Sequence, residues 1–388
     1  MCQWLVRVFL IPSLLLAGLV CCAQRQLVSQ SSQFNRATAV SASENILLNA
    51  VRASKDFPLL FTGLTQYIAG NRASGSVRFA PDFPFGLDAP NIFNFRPNVD
   101  WNYNPGVSQI QYGSLNTAEG LAGIKTPVTF EEIQSYYETS ASVPWQLLMT
   151  LTTQVIQVSD EIAAAVIDYS ETSCSNNPDA RCEFIRHAAS KCEWAEPFEY
   201  QGQRFVRYLN SPLNECSSLR FQAFYLALTL AGFTSELVTS AETGKKESRA
   251  YFNIDDIQST LKNQQVLMKD IGVGPLEFKT RSPKGMIEYL GDIIKVENFS
   301  AKPYVPKVLT REGEIPIALI LTGSLPAQQV ALRVRDDEGQ VFSVPRPDYS
   351  TTEDHLTLKT ISIISDFYNA AINKEALPDA GSIIFTAR

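Results

Sequence analysis

The chain has 388 residues, 45% hydrophobic and 19% charged, with a net charge of −7 and a pI near 5.1. That balance describes a folded globular protein and excludes a disordered chain or one embedded throughout in lipid. The acidic surplus argues against nucleic acid as a partner, which needs a basic footprint.

The first element is apolar. Val8 to Val20, broken by Pro12 and Ser13, follows the single charge of Arg7. The run is shorter than the roughly 20 residues a permanent spanning helix needs, and it has the length of a secretory h-region. Leu19-Val20-Cys21-Cys22 resembles the box read by lipoprotein signal peptidase, with Cys22 as the lipidated residue. Cys21 stands there where Gly, Ala or Ser is usual. Ordinary cleavage after Cys21-Cys22-Ala23 is the alternative, and it leaves a soluble periplasmic protein. Several acyl chains on Cys22 would anchor the protein firmly, whereas one chain binds only marginally. Ala23, in place of an acidic residue, points to the periplasmic face of the outer membrane. Residues 1–23 therefore read as a signal, and 24–40, rich in Gln and Ser, as a flexible tether.

Ser41-Ala42-Ser43-Glu44 spells a capping box for a first helix ending near Asp56, with Leu47, Leu48 and Val51 at helical spacing. Strands are expected at Leu60–Ala69 and Gly75–Phe79, turning at Gly70-Asn71. Residues 81–106 form a long aromatic loop that interleaves Phe93, Trp101 and Tyr103 with Asn91, Asn94 and Asn102. Val107–Gly113 reads as a strand. Thr129-Phe130-Glu131-Glu132 caps a helix to about Thr139. Pro144 opens another, whose stripe of Leu147, Leu148, Leu151, Val155 and Ile156 predicts one continuous helix.

Four cysteines follow: Cys174, Cys182, Cys192 and Cys216. An even, clustered set in an exported chain predicts two disulfides. If 181–192 is helical, Cys182 and Cys192 stand about 15 Å apart, too far to bridge. Cys174–Cys182 with Cys192–Cys216 is therefore favoured, and Cys174–Cys192 with Cys182–Cys216 stays open. A zinc site is the rival reading, weakened by the absence of a C-x-x-C pair.

Tyr200–Tyr208 reads as a hairpin over Gln201-Gly202, and Leu219–Phe233 as an apolar helix. Strands are expected at Glu236–Ser240, Arg249–Ile254 and Leu276–Thr280, with a helix over Asp255–Asp270 between the last two. Ser282-Pro283 starts a helix, and Ile315–Thr322 is β-branched enough for a central strand. Val330–Arg335 and Gln340–Val344 form a hairpin over Asp336-Asp337-Glu338-Gly339. A helix over Leu356–Ile372 and a strand at Ser382–Ala387 close the chain. The fold class is α+β, with antiparallel hairpins packed against helices and a mainly helical central segment. The expected division is a helix-rich domain over 41–232 and an α+β domain over 233–388.

Several segments resemble a family of proteobacterial lipoproteins without an assigned activity. They are Ser43 to Ala53, Pro58-Leu59-Leu60-Phe61, Lys125-Thr126-Pro127, Val143-Pro144-Trp145 and Arg281 to Gly291. The lipobox is poorer than that family's usual Ser-Gly-Cys or Ala-Gly-Cys, and 81–106 differs from its Ser- and Gly-rich segment. The resemblance implies an envelope location and supplies no catalytic residues.

Candidate chemistry is sparse. Ser259-Thr260-Leu261-Lys262 fits a Ser-x-x-Lys pattern without the accompanying Lys-Thr-Gly or Ser-Asp-Asn, so a solvated helix face explains it better. His187 and His355 read as surface or structural histidines. Asp336-Asp337-Glu338-Gly339 suits turn chemistry better than a cation. Gly272-Val273-Gly274 lacks a third glycine and a following helix. Phe93, Trp101 and Tyr103 are candidate glycan-stacking residues, against the simpler reading that they form the loop's own small core. No catalytic residue, metal or cofactor is expected. The expected function is a lipid-tethered envelope protein that binds or scaffolds another envelope component. The alternatives are a cell-wall hydrolase or transferase built on carboxylates and a glycan-binding module using the aromatic loop.

Overall fold

A computed structural model of the chain describes residues 39–68, 109–114, 118–140, 142–200, 202–239, 246–251, 276–300, 304–310, 313–346 and 355–375. The candidate residues Cys22, Phe93, Trp101 and Tyr103, the Ser259–Lys262 pattern, and the expected elements at 75–79, 255–270 and 382–387 lie outside them. The chain divides into two compact units, 1–45 and 46–388. Among the described residues no helix is long and apolar enough to cross a membrane.

The protein is α+β. Helix α1 spans 39–54, so Ser41 sits inside the helix and does not cap it, and Ser43 Oγ donates back to Ala39 O. β1 (Thr62–Ile68) pairs antiparallel with β2 (Gln109–Ser114). Then come α2 (Ala118–Lys125), α3 (Phe130–Thr139) and α4 (Trp145–Thr152). The capping box of α3 is as expected, with Thr129 Oγ1 accepting from Glu132 N and Glu132 Oε2 accepting from Thr129 N.

The expected long helix after Pro144 breaks. Its stripe ends at Thr152, and β3 (Thr153–Ser159) continues as an interior strand. The Thr150–Ile156 run is rich in β-branched residues, which favour a pleated surface. The carbonyls of Thr150, Leu151 and Thr153, at the change of conformation, all receive the guanidinium of Arg281. A tertiary donor thus satisfies the helix end that a longer helix would have satisfied internally.

α5 (Asp160–Asn176) and α6 (Ala180–Lys191) follow, capped by Ser159 and Asp179. β4 (Phe198–Tyr200) and β5 (Gln203–Leu209) make the expected hairpin, with Gly202 at φ 76° in the turn. α7 (Glu215–Leu230), β6 (Thr234–Thr239) and β7 (Lys246–Tyr251) lead to β8 (Leu276–Thr280) and α8 (Pro283–Phe299). The principal sheet has the order β4-β5-β3-β8, all antiparallel. It draws strands from both sides of the expected division at 232/233. α5 and α7 pack against it, and Phe224 of α7 stacks on Tyr208 of β5 with centroids 3.9 Å apart.

Both disulfides take the favoured pairing, Cys174–Cys182 and Cys192–Cys216, each with Cα atoms 5.3 Å apart. The first ties the end of α5 to α6, and the second ties the end of α6 to the start of α7. With all four sulfurs so bonded, they form no zinc site.

The C-terminal part holds β9 (Lys307–Thr310) paired with β10 (Gly313–Pro316), then β11 (Leu321–Thr322), β12 (Val330–Arg335), β13 (Val341–Pro345) and α9 (Thr357–Glu375). The central strand expected at 315–322 does not form. Ile317, Ala318 and Ile320 are buried, but side chains replace the ladder. Leu319 N donates to Thr357 Oγ1, Ile320 N to Glu297 Oε2, and Ile317 O and Ile320 O accept from Thr360 and Asn298. The β12–β13 turn docks on the end of α1, where Lys55 bridges Asp336 and Glu338 and Arg52 meets Asp337.

Gly291 lets α8 cross α1 closely. A Cβ there would stand 2.6 Å from Ala53 Cβ and 2.8 Å from Ala50 O. Gly291→Ala should therefore destabilise the protein by about 1–3 kcal/mol despite alanine's better helix propensity. Denaturant titration of both chains measures it, and an unchanged midpoint would show that the helices can part without cost. Arg281→Met, which leaves buried carbonyls at 150, 151, 153 and 210 without this donor, should cost about 3 kcal/mol or more. The same titration reads it.

Candidate functional site

The candidate site is an open groove of about 740 Å³ where the C-terminal turn of α3, the turn into α4 and the first turns of α9 meet. The last turn of α3 reverses through Ser140, whose N–H reaches Tyr136 O and whose carbonyl accepts from Val143 N. α9 is fixed opposite by Leu356 N on Pro316 O, by Thr360 Oγ1 on Ile317 O, and by Thr357, whose Oγ1 lies 2.7 Å from His355 Nδ1.

Two side-chain bonds link the walls. Tyr136 Oη donates to Asp366 Oδ2 at 2.8 Å, and Lys359 Nζ donates to Ser142 O at 2.5 Å. Burial, reinforced by the Asp366 carboxylate, pushes the Tyr136 phenol up to about 12. The phenol thus stays protonated at neutral pH and serves as a donor, not a base. Leu358, 37% exposed, adds apolar surface to the hydroxyls of Thr139, Ser140 and Ser362. The groove offers a mixed hydrogen-bonding and apolar surface whose phenol and ammonium already hold its walls together. That arrangement suits binding better than proton transfer.

No motif in the sequence marks this groove. His355, expected as a surface or structural residue, is buried at the groove's edge. His187 is exposed on α6. The acidic turn at 336–339 holds the protein's own Lys55 and Arg52, and Asp336 Oδ1 also accepts from Glu338 N and Gln340 N.

Two carboxylates on α8, Asp292 and Glu297, carry no sequence signal, because a five-residue spacing gives no pattern. Glu297 accepts from Ile320 N, and burial pushes it up to about 7. Burial pushes Asp292 up to about 6 against the opposing pull of Lys295 and Arg281. At 3.6 residues per turn they point about 140° apart around the helix, so they do not form the facing pair a carboxylate hydrolase needs.

A carboxyl raised on folding takes up a proton in the folded state, so stability falls as pH rises from the ordinary value of 4.5 through about 7. Glu297→Gln, which keeps an acceptor for Ile320 N, should match the parent near pH 4 and exceed it in melting temperature near pH 8. Equal gaps at both pH values would show that Glu297 does not titrate across this range. Asp292 persists in the variant and keeps part of the slope.

The chain matches no protein-family model, no curated protein and no solved structure.

Proposed function

We propose that the protein is exported, is held on the periplasmic face of the outer membrane by a lipid on Cys22, and works there as a binding or scaffolding component. The observation that carries the compartment is the pair of disulfides, Cys174–Cys182 and Cys192–Cys216. Such bonds form and persist in oxidising compartments. The leader over 1–23 and the resemblance to envelope lipoproteins support the same reading. The binding role rests on the groove between α3 and α9, whose Tyr136 and Lys359 join its two walls.

Intact mass of the protein from the membrane fraction tests the anchor, with Cys22→Ser as control. Acylation at Cys22, lost in the control, is the expected result. A chain starting at Gln24 in the soluble periplasmic fraction would overturn the anchor while leaving export in place.

A further inference from the structure

α7 is buried on two unlike faces. Phe224 stacks against the sheet at Tyr208. On another side Ser218, Gln222 and Tyr225, at i, i+4 and i+7, form a polar stripe with exposures of 0%, 2% and 3%. That spacing puts all three on one helix face. The Tyr304 phenol donates to Gln222 Oε1 at 3.1 Å. Ser218 Oγ, Gln222 Nε2 and Tyr225 Oη have no hydrogen-bond partner among the described residues.

Each unmet buried group keeps the full desolvation penalty of a polar atom with no bond in return. A ligand therefore fits this place better than three orphaned groups. Its chemistry is constrained. The stripe carries no charge, and burial drives the Tyr225 and Tyr304 phenols far up, which keeps them neutral. The nearby carboxylates that act on Tyr304, Glu314 and Glu215, are each paired with a lysine, Lys307 and Lys191. An ion would lose its hydration without gaining a countercharge. The site suits a small neutral molecule that both donates and accepts.

We propose that Ser218, Gln222 and Tyr225 form an internal hydration site, in which ordered water bridges Ser218 Oγ and Gln222 Nε2 and a further water serves Tyr225 Oη. Internal waters of this kind make about three bonds each to buried polar groups. Tyr304, already bonded to Gln222, holds the amide so that its NH2 faces the water.

A crystal structure of the mature chain, at a resolution that orders solvent, tests this. The expected result is density within hydrogen-bond distance of Gln222 Nε2 and of Tyr225 Oη. In Ser218→Ala the bridging water should be weakened, and in Gln222→Met it should be lost, while the water at Tyr225 stays in both. If Gln222→Met does not fold, Ser218→Ala and the parent still decide the matter. The proposal is overturned if the region is dry, with Ser218 Oγ turned to Asn214 O and the Gln222 amide reversed so that Nε2 meets the Tyr304 oxygen.

Discussion

Burying a guanidinium costs several kcal/mol unless nearly every donor finds an acceptor, and the interior of this protein is arranged around one such group. Arg281 sits between β8 and α8. One of its terminal nitrogens reaches the carbonyls of Thr150, Leu151 and Thr153, and the other reaches Asn210 O. Its Cζ lies 3.9 Å from the centre of the Tyr289 ring, and Tyr289 Oη donates to Asn210 Oδ1. Asn210 in turn donates to Thr150 O and Thr153 O. The charge is met by carbonyl dipoles at the negative end of α4. Burial pulls the guanidinium down to about 10, so it remains charged at neutral pH. The Arg281 backbone ties in too, donating to Thr152 O and accepting from Val128 N. One residue thus joins the approach to α3, the α4–β3 junction, the end of β5 and the start of α8.

The segments 43–53 and 281–291 have structural reasons for their residues. Ser282 caps α8 and Pro283 follows at its first turn. Gly291 removes a Cβ where α8 meets Ala50 and Ala53 of α1. Asn49 exchanges two bonds with the backbone of Leu60, at 2.8 and 2.7 Å, and so fixes the chain leaving α1. These residues hold the scaffold.

The same scaffold sets the groove. Segment 317–320 gives its backbone to Thr357, Thr360, Glu297 and Asn298, and this anchors the first turns of α9 against the core. The exposed side of those turns then meets the end of α3 through Tyr136–Asp366 and Lys359–Ser142. The groove depends on two helix ends being held at a fixed separation by bonds outside the groove itself.

Local chemistry was legible in the sequence. The Thr129–Glu132 box, the Ser282-Pro283 start, the hairpin at Gln201-Gly202 and the acidic turn before Gly339 are each satisfied by residues a few positions away, so the sequence determined them alone. The reach of one helix ruled out a Cys182–Cys192 bridge and left two connectivities, between which the tertiary structure chose. Tertiary structure decided whatever depends on a distant partner. The break at Thr152 needs Arg281, more than a hundred residues later, to take the freed carbonyls. The apolar run at 317–320 is as hydrophobic as a central strand, but it forms no ladder because α8 and α9 supply its partners. The groove brings Tyr136 to Asp366, 230 positions apart. No periodicity or spacing encodes such a contact, because it exists only after the helices that carry it have packed.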